Sequence, residues 1–194
     1  MYSDGEYLRG LIFKNSRDYL KFDFNCEYKE LGIFNDTERW LDIYFSGNIP
    51  DFAPKHKVDG TDFKLEVNNI IKNIPYGKFI TYNDIAKEIV SKRNIKRMSA
   101  QAVGGAVGWN PICIIIPCHR VVGANNNLVG YGGGINNKIK LLKLEGIDVS
   151  KYYYVDKKNK KMYFYMFSFY FTCICKTKLI LWFLFTYLYI FDII

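Results

Sequence analysis

The chain has 194 residues, 49% of them hydrophobic and 24% charged, which is enough apolar material for a sizeable core and excludes a chain disordered throughout. Its 27 lysines and arginines outnumber 19 aspartates and glutamates for a net charge of +8, and the excess is regional: residues 57–161 hold 18 basic and 8 acidic side chains, whereas 1–56 hold 7 and 10. A polyanionic partner, nucleic acid or a membrane surface, is therefore expected at the middle segment alone.

Residues 6–24 mix short apolar runs with breaks at Gly10, Asn15 and Ser16, as two or three strands of a small sheet would. DTERWLDIYFSG then reads as a short helix, with Asp36 or Thr37 as N-cap and Trp40, Leu41, Ile43 and Tyr44 as its apolar stripe. NIPDFAPKHKVDG, with Pro50 and Pro54, is neither periodic nor apolar, so it reads as a linker and the domain boundary is expected at 55/56. Beyond it, Phe63, Val67, Ile70, Ile71 and Ile74 share one helical face. A second helix opens at Thr81 with Asp84 three residues on, a capping-box spacing, and buries Ile85, Ile89 and Val90.

After the basic stretch SKRNIKR, Ser99 caps a third helix, AQAVGGAVGW. Two short helices around a modest turn fit a helix-turn-helix, although helix pairs that bind no DNA share that pattern. Gly104, Gly105 and Gly108 each cost about 1 kcal/mol against alanine in a helix interior, so something compensates. With Val103 and Val107 facing the core, Ala102, Gly105 and Ala106 form a smooth strip, suited either to close helix packing or to entry into a narrow nucleic-acid groove. ICIII reads as a short buried strand ended by Pro117, VVGANNNLVGY as two short strands around an Asn-rich turn, GGG as a loop, and INNKIKLLKLEG as a helix closed by Gly146.

Five cysteines (26, 113, 118, 173 and 175) and two histidines, His56 and His119, form neither a disulfide framework nor a zinc ligand set. No metal or cofactor is expected, and with no leader-like opening a reducing, cytoplasmic setting is the default, nuclear if the cell has a nucleus. Cys118 and His119 have the chemistry of a nucleophile and its base. Adjacent residues of an extended chain point to opposite faces, however, so a turn or a bridging water is required, and a free cysteine at a strand end is ordinarily a small apolar core residue.

The passage SAQAVGGAVGWNPICIIIPCHRVVGANNNLVGYGGG resembles the active-site region of the O6-alkylguanine-DNA alkyltransferases, also called methylated-DNA–protein-cysteine methyltransferases, with IPCHRV as their diagnostic motif. PYGKFITYNDIA upstream and KLLKLEG downstream match the same family in the same order, so the likeness covers roughly 60–152. The resemblance implies irreversible repair of double-stranded DNA that carries O6-alkylguanine, with O4-alkylthymine as a second candidate lesion, by a monomer with no obligate protein partner. The alkyl group moves to Cys118, with His119 as base through a water and Glu145 orienting that histidine. Tyr82 would donate a proton to the leaving guanine, and Asn110 would brace the active-site turn. Contact with DNA or the flipped base would involve Gln101, Ala102, Gly105, Arg120, Tyr131, Gly132, Gly133 and Lys138, from the minor groove. The alternative is a lesion sensor of the alkyltransferase-like kind, which lacks the cysteine.

The implied fold is a small α/β domain resembling ribonuclease H over 1–55, short of its usual first strand, then a mainly helical domain with a winged-helix-like helix-turn-helix over 56–156. An atypical hydrophobic tail follows over 157–194. From residue 162 it holds 13 of the chain's 34 aromatic residues. Its apolar runs fall short of the ~20 residues that span a bilayer, so a readthrough-like terminus is favoured over a membrane anchor. Two departures from the family stand out. Gln101 stands where some relatives have an arginine that fills the gap left by the flipped base, and Gly132 where some have a serine that can bond O6, implying a roomier pocket.

Overall fold

A computed structural model of the chain describes residues 1–14, 16, 19, 26–156 and 161–164. Two short antiparallel strands, β1 (Tyr2–Ser3) and β2 (Leu8–Gly10), open the chain. The 48–60 stretch expected as a linker is tied down. Leu8 donates its N–H to Lys55 O and accepts from Lys57 N at 2.9 and 3.1 Å, extending the pairing across it. Leu11, next along the chain, donates to Pro111 O at 2.9 Å and accepts from Cys113 N at 2.8 Å, which docks the amino-terminal segment on the chain just before Cys118. Part of the expected strand region, residues 15, 17, 18 and 20–25, lies outside the described residues.

Helix α1 spans Gly32–Phe45, beginning earlier than expected. Leu31, extended and without a side-chain cap, is the N-cap, and Thr37 is not a cap: its hydroxyl donates to Ile33 O at 2.7 Å inside the helix. Ile33, Thr37, Trp40, Leu41 and Tyr44 form the buried face, and burying Ile33 draws the first turn back along the chain. Helices α2 (Asp62–Lys72) and α3 (Tyr82–Arg93) form where expected, with Ala86 in place of Val90 beside Ile85 and Ile89 on the buried face of α3, and the Thr81–Asp84 capping box is formed in both directions. Helix α4 (Ala100–Val107) is capped by Ser99 and packs against both.

The run ICIII departs from expectation: it is a tight turn, not a strand. Ile115 N donates to Cys113 O and Ile116 N to Ile112 O at 2.9 and 3.1 Å, with Ile114 at φ 71°, a left-handed conformation that a β-branched residue rarely adopts. A short 3-10 turn, Cys118–Arg120, leads into β4 (Val121–Val122), which pairs in parallel with β3 (Ile80–Thr81). The second strand expected after the Asn-rich turn is absent; Asn125 and Asn126 take positive φ and carry the chain round to the loop before α5 (Ile135–Leu144). Strands β5 (Tyr153–Asp156) and β6 (Lys161–Phe164) then form an antiparallel hairpin, so the first residues of the expected tail pair with the chain before them. The reading of 165–194 lies outside the described residues.

One apolar cluster runs from Leu8 and Phe13 through Trp40, Val67, Ile85 and Val103 to Ile112, Ile116 and Leu141, crossing position 55/56 without a break. A smaller one gathers Val122, Leu128, Ile139, Leu142, Val149 and Tyr152 beneath the loop that precedes α5. The whole is a mixed α/β fold of five helices and small sheets among the described residues. No helix among them is long and apolar enough to cross a membrane.

Candidate active site

Cys118 lines a cleft of about 920 Å³ whose walls include Tyr82, Gln101, Gly104, Asn110, Tyr131 and Gly132. Asn110, three residues past the end of α4, organises the turn beneath it. Its Nδ2 donates to Ile116 O at 2.8 Å, to Ile112 O at 3.3 Å and to Cys118 Sγ at 3.0 Å, while its Oδ1 accepts from Ile112 N at 3.0 Å. One amide thus satisfies the backbone of a turn that has no ladder, and holds Ile114 in its strained conformation.

The next residue of the 3-10 turn, His119, is fully buried and does not line the cleft. Its Nε2 lies 2.8 Å from Glu145 Oε1, which assigns the proton to Nε2 and leaves Nδ1 as the basic nitrogen; Nδ1 is buried and bonds to no protein atom. Glu145 stands at the C-cap of α5 and gathers several donors. Arg120 reaches both of its oxygens, Nε to Oε2 at 2.8 Å and Nη2 to Oε1 at 2.8 Å, and pins Ile74 O through Nη1 at 2.7 Å. Gly77 N donates to Oε2 at 3.2 Å, and Tyr44 Oη donates to Oε1 at 2.6 Å. Burial pushes the Glu145 carboxyl up, but the bonds from His119 and Arg120 outweigh it and hold the group at about 2. Burial lowers His119 below the ordinary histidine value, against the pull of Glu145, so the ring is kept neutral.

Tyr82, first residue of α3, lines the cleft and is pushed up to about 12 by burial and by the nearby Cys118. It stays a protonated donor at neutral pH. Tyr131 is held well above the ordinary tyrosine value by burial and by the thiols of Cys113 and Cys118.

The expected residues divide by position. Cys118, Tyr82, Asn110, Gln101, Tyr131 and Gly132 line the cleft; Ala102 and Gly105 are exposed on α4; His119 and Glu145 are bonded to each other and buried, outside the cleft lining. Arg120, Lys138 and Gly133 are not at the cleft. Arg120 is committed to Glu145, and Lys138 is fully buried with Nζ bonded to Val121 O and Leu128 O at 2.7 and 2.6 Å. Burial lowers Lys138 to about 7, Cys118 acting in the opposite sense. Gly133 is buried where a Cβ would strike Phe13 at 2.4 Å, so the glycine-rich loop before α5 is seated on the amino-terminal segment there.

The smooth strip on α4 also shifts. Ala106 is buried, and the exposed face is Gln101, Ala102, Gly105 and Gly108. A Cβ on Gly105 would meet nothing within 4 Å, which removes close packing as the reason for that glycine.

Sequence reading missed Tyr44, which in a helical stripe looks like any core aromatic, and Cys113, Tyr154 and Val155, which also line the cleft. Cys113 was expected in the core, and it is buried there as well as facing the cleft.

Residues 62–147 match the model of the 6-O-methylguanine DNA methyltransferase DNA-binding domain. The methylated-DNA–protein-cysteine methyltransferase of Methanosarcina acetivorans is 46% identical over 114 residues, covering 59% of this chain and 70% of that protein. The enzyme of the same name from Haemophilus influenzae is 36% identical over 156 residues, 80% of this chain and 81% of the relative. Among solved structures, Mycobacterium tuberculosis OGT in complex with DNA superposes with a TM-score of 0.64 at 38% identity, covering 74% of this chain and 83% of that one. Shared sequence over most of both chains, together with a shared fold around the Cys118 turn, leads to one conclusion: the chain belongs to the methylated-DNA–protein-cysteine methyltransferase family.

Proposed function

We propose that this protein repairs DNA by taking the methyl group of O6-methylguanine onto Cys118, once per molecule. The observation that carries the reading is the placement of the Cys118 sulfur at the cleft wall with a neutral, Glu145-anchored His119 behind the same turn. His119 Nδ1 takes the thiol proton through a water. The thiolate attacks the methyl carbon in line; the S–C bond forms as the C–O bond breaks, and the electron pair leaves on the guanine oxygen. Tyr82 supplies the proton that returns the base to guanine, and the proton held on His119 replaces it through solvent. Atoms and charge balance without a cofactor, and the thioether formed at Cys118 has no route back.

The base must leave the duplex to reach Cys118, at a cost of a few kcal/mol. Gln101 at the exposed start of α4 is the residue that fills the gap, and the side-chain-poor face of Ala102 and Gly105 approaches the minor groove. Tyr131 and Gly132 close over the flipped base. Arg120 and Lys138 act by holding backbone and Glu145, not by touching DNA.

The same reading treats 1–55 as a ribonuclease H-like domain and 56–156 as a winged-helix-like domain with α3–α4 as its helix-turn-helix. The β1–β2 hairpin ahead of α1, and the β3–β4 pair beside α3, support it. The test is stoichiometry. Loss of O6-methylguanine from a duplex should stop at one lesion per protein molecule; continued turnover would mean a hydrolase, and binding with no loss a sensor.

A further inference from the structure

The tyrosine that no family motif singles out sits inside the catalytic network. Tyr44, from α1, is 1% exposed, and its Oη lies 2.6 Å from Glu145 Oε1 and 3.4 Å from His119 Nε2. We propose that Tyr44 is a positioning residue for the alkyl transfer, one that sets the basicity and orientation of His119 by sharing the Glu145 oxygen to which that histidine is bonded. The proposal rests on the reading of His119 as the base.

A core phenol needs only one acceptor, and any buried carbonyl would serve. This one spends its hydrogen bond on the carboxylate oxygen that already accepts from His119 and Arg120. Each donor to Oε1 draws off negative charge that would otherwise stabilise an imidazolium. Tyr44 therefore opposes protonation of His119 at rest while fixing the carboxylate that orients the ring. The other charged and titratable groups facing this pair are Arg120 on the nucleophile's own turn, Tyr76 between α2 and β3, and Lys138 on α5. Arg120 and Lys138 push His119 the same way, which leaves Glu145 as the group favouring the charged ring and Tyr44 as its moderator. The phenol itself does not titrate, since burial and the Glu145 charge raise it further from neutrality.

The Tyr44 ring also packs against aromatic neighbours. Trp40 stacks on it at 5.4 Å and 9° interplanar angle, and Tyr76 meets it edge-on at 6.0 Å. Because α1 belongs to the amino-terminal third of the chain, the contact also makes that segment part of the chemistry.

The experiment is the pH profile of the second-order transfer rate to the full-length protein, from a duplex carrying O6-methylguanine, for the parent, Tyr44→Phe and Trp40→Phe. Tyr44→Phe should move the acid limb upward by about half a unit, slowing transfer by up to about threefold more on the acid side of the limb than at pH 8.5. Trp40→Phe, a packing change beside the same ring, should lower stability and leave the limb in place. A Tyr44→Phe profile that superimposes on the parent, or one lowered equally at every pH, overturns the proposal. If Tyr44→Phe does not fold, nitrogen-15 and proton NMR of the parent decides: a slowly exchanging Tyr44 hydroxyl proton with cross-relaxation to the His119 ring supports it, and its absence overturns it. A parent protein that accepts no methyl group would instead remove the underlying reading, and the NMR signature would still tell the two failures apart.

Discussion

Asn110 does most to shape the surroundings of Cys118, because one side chain bonds two carbonyls, a backbone N–H and the Cys118 sulfur. Replacing it by alanine leaves Ile112 N buried and unpaired and takes one of two donors from Ile116 O, so Asn110→Ala should cost about 1–3 kcal/mol, read as a lower urea midpoint, and should slow alkyl transfer. Glu145 is the second such residue. Its folded value near 2 is depressed from 4.5, so the stability it contributes is complete above about pH 4.5 and is lost as pH falls through 2. His119 adds a loss in the same direction below 6.5, because burial disfavours its charged form and the unfolded chain takes up the proton first. Thermal midpoints recorded from pH 7 downward should therefore fall steadily. In Glu145→Gln the limb below pH 4.5 should flatten, from a lower starting stability of about 3 kcal/mol less, because Arg120 keeps its buried charge without a counter-charge.

At the level of elements, α4 separates packing from function. Gly105 faces open space, so Gly105→Ala should raise stability by about 1 kcal/mol in a denaturant melt. If that bare face meets the minor groove, the same change should weaken binding to duplex DNA; unchanged affinity would place the DNA elsewhere. Helices α2, α3 and α4 were legible in the sequence because their apolar spacing and the caps at Thr81 and Ser99 act locally. The ICIII run was not. Its five apolar residues are buried as expected, but periodicity cannot tell a buried strand from a buried turn, and the deciding agent is the side chain of Asn110 outside the run. The start of α1 was missed for a similar reason, since burial of Ile33 outweighs the better caps at Asp36 and Thr37. Of the site, Cys118, His119 and Glu145 were legible through their motifs, whereas Tyr44 was not, because its partner lies 101 residues away.

For the whole molecule, the positive field of residues 57–161 predicts DNA binding that weakens steeply with salt and differs little between undamaged sequences. The amino-terminal segment, net negative, contributes instead by contact: Leu11 pairs with the chain before Cys118, Phe13 seats Gly133, and Tyr44 reaches Glu145. The core is continuous across 55/56, so these contacts should be lost together in a single unfolding transition, read by thermal melts with two probes. The measurement that bears most directly on the account is the intact mass of the protein after incubation with a duplex containing O6-methylguanine, with peptide mapping and Cys118→Ala alongside. The account predicts a gain of about 14 Da, one methyl group, confined to the peptide containing Cys118 and absent from Cys118→Ala. A gain on another residue, or none while the duplex loses its lesion, would contradict it.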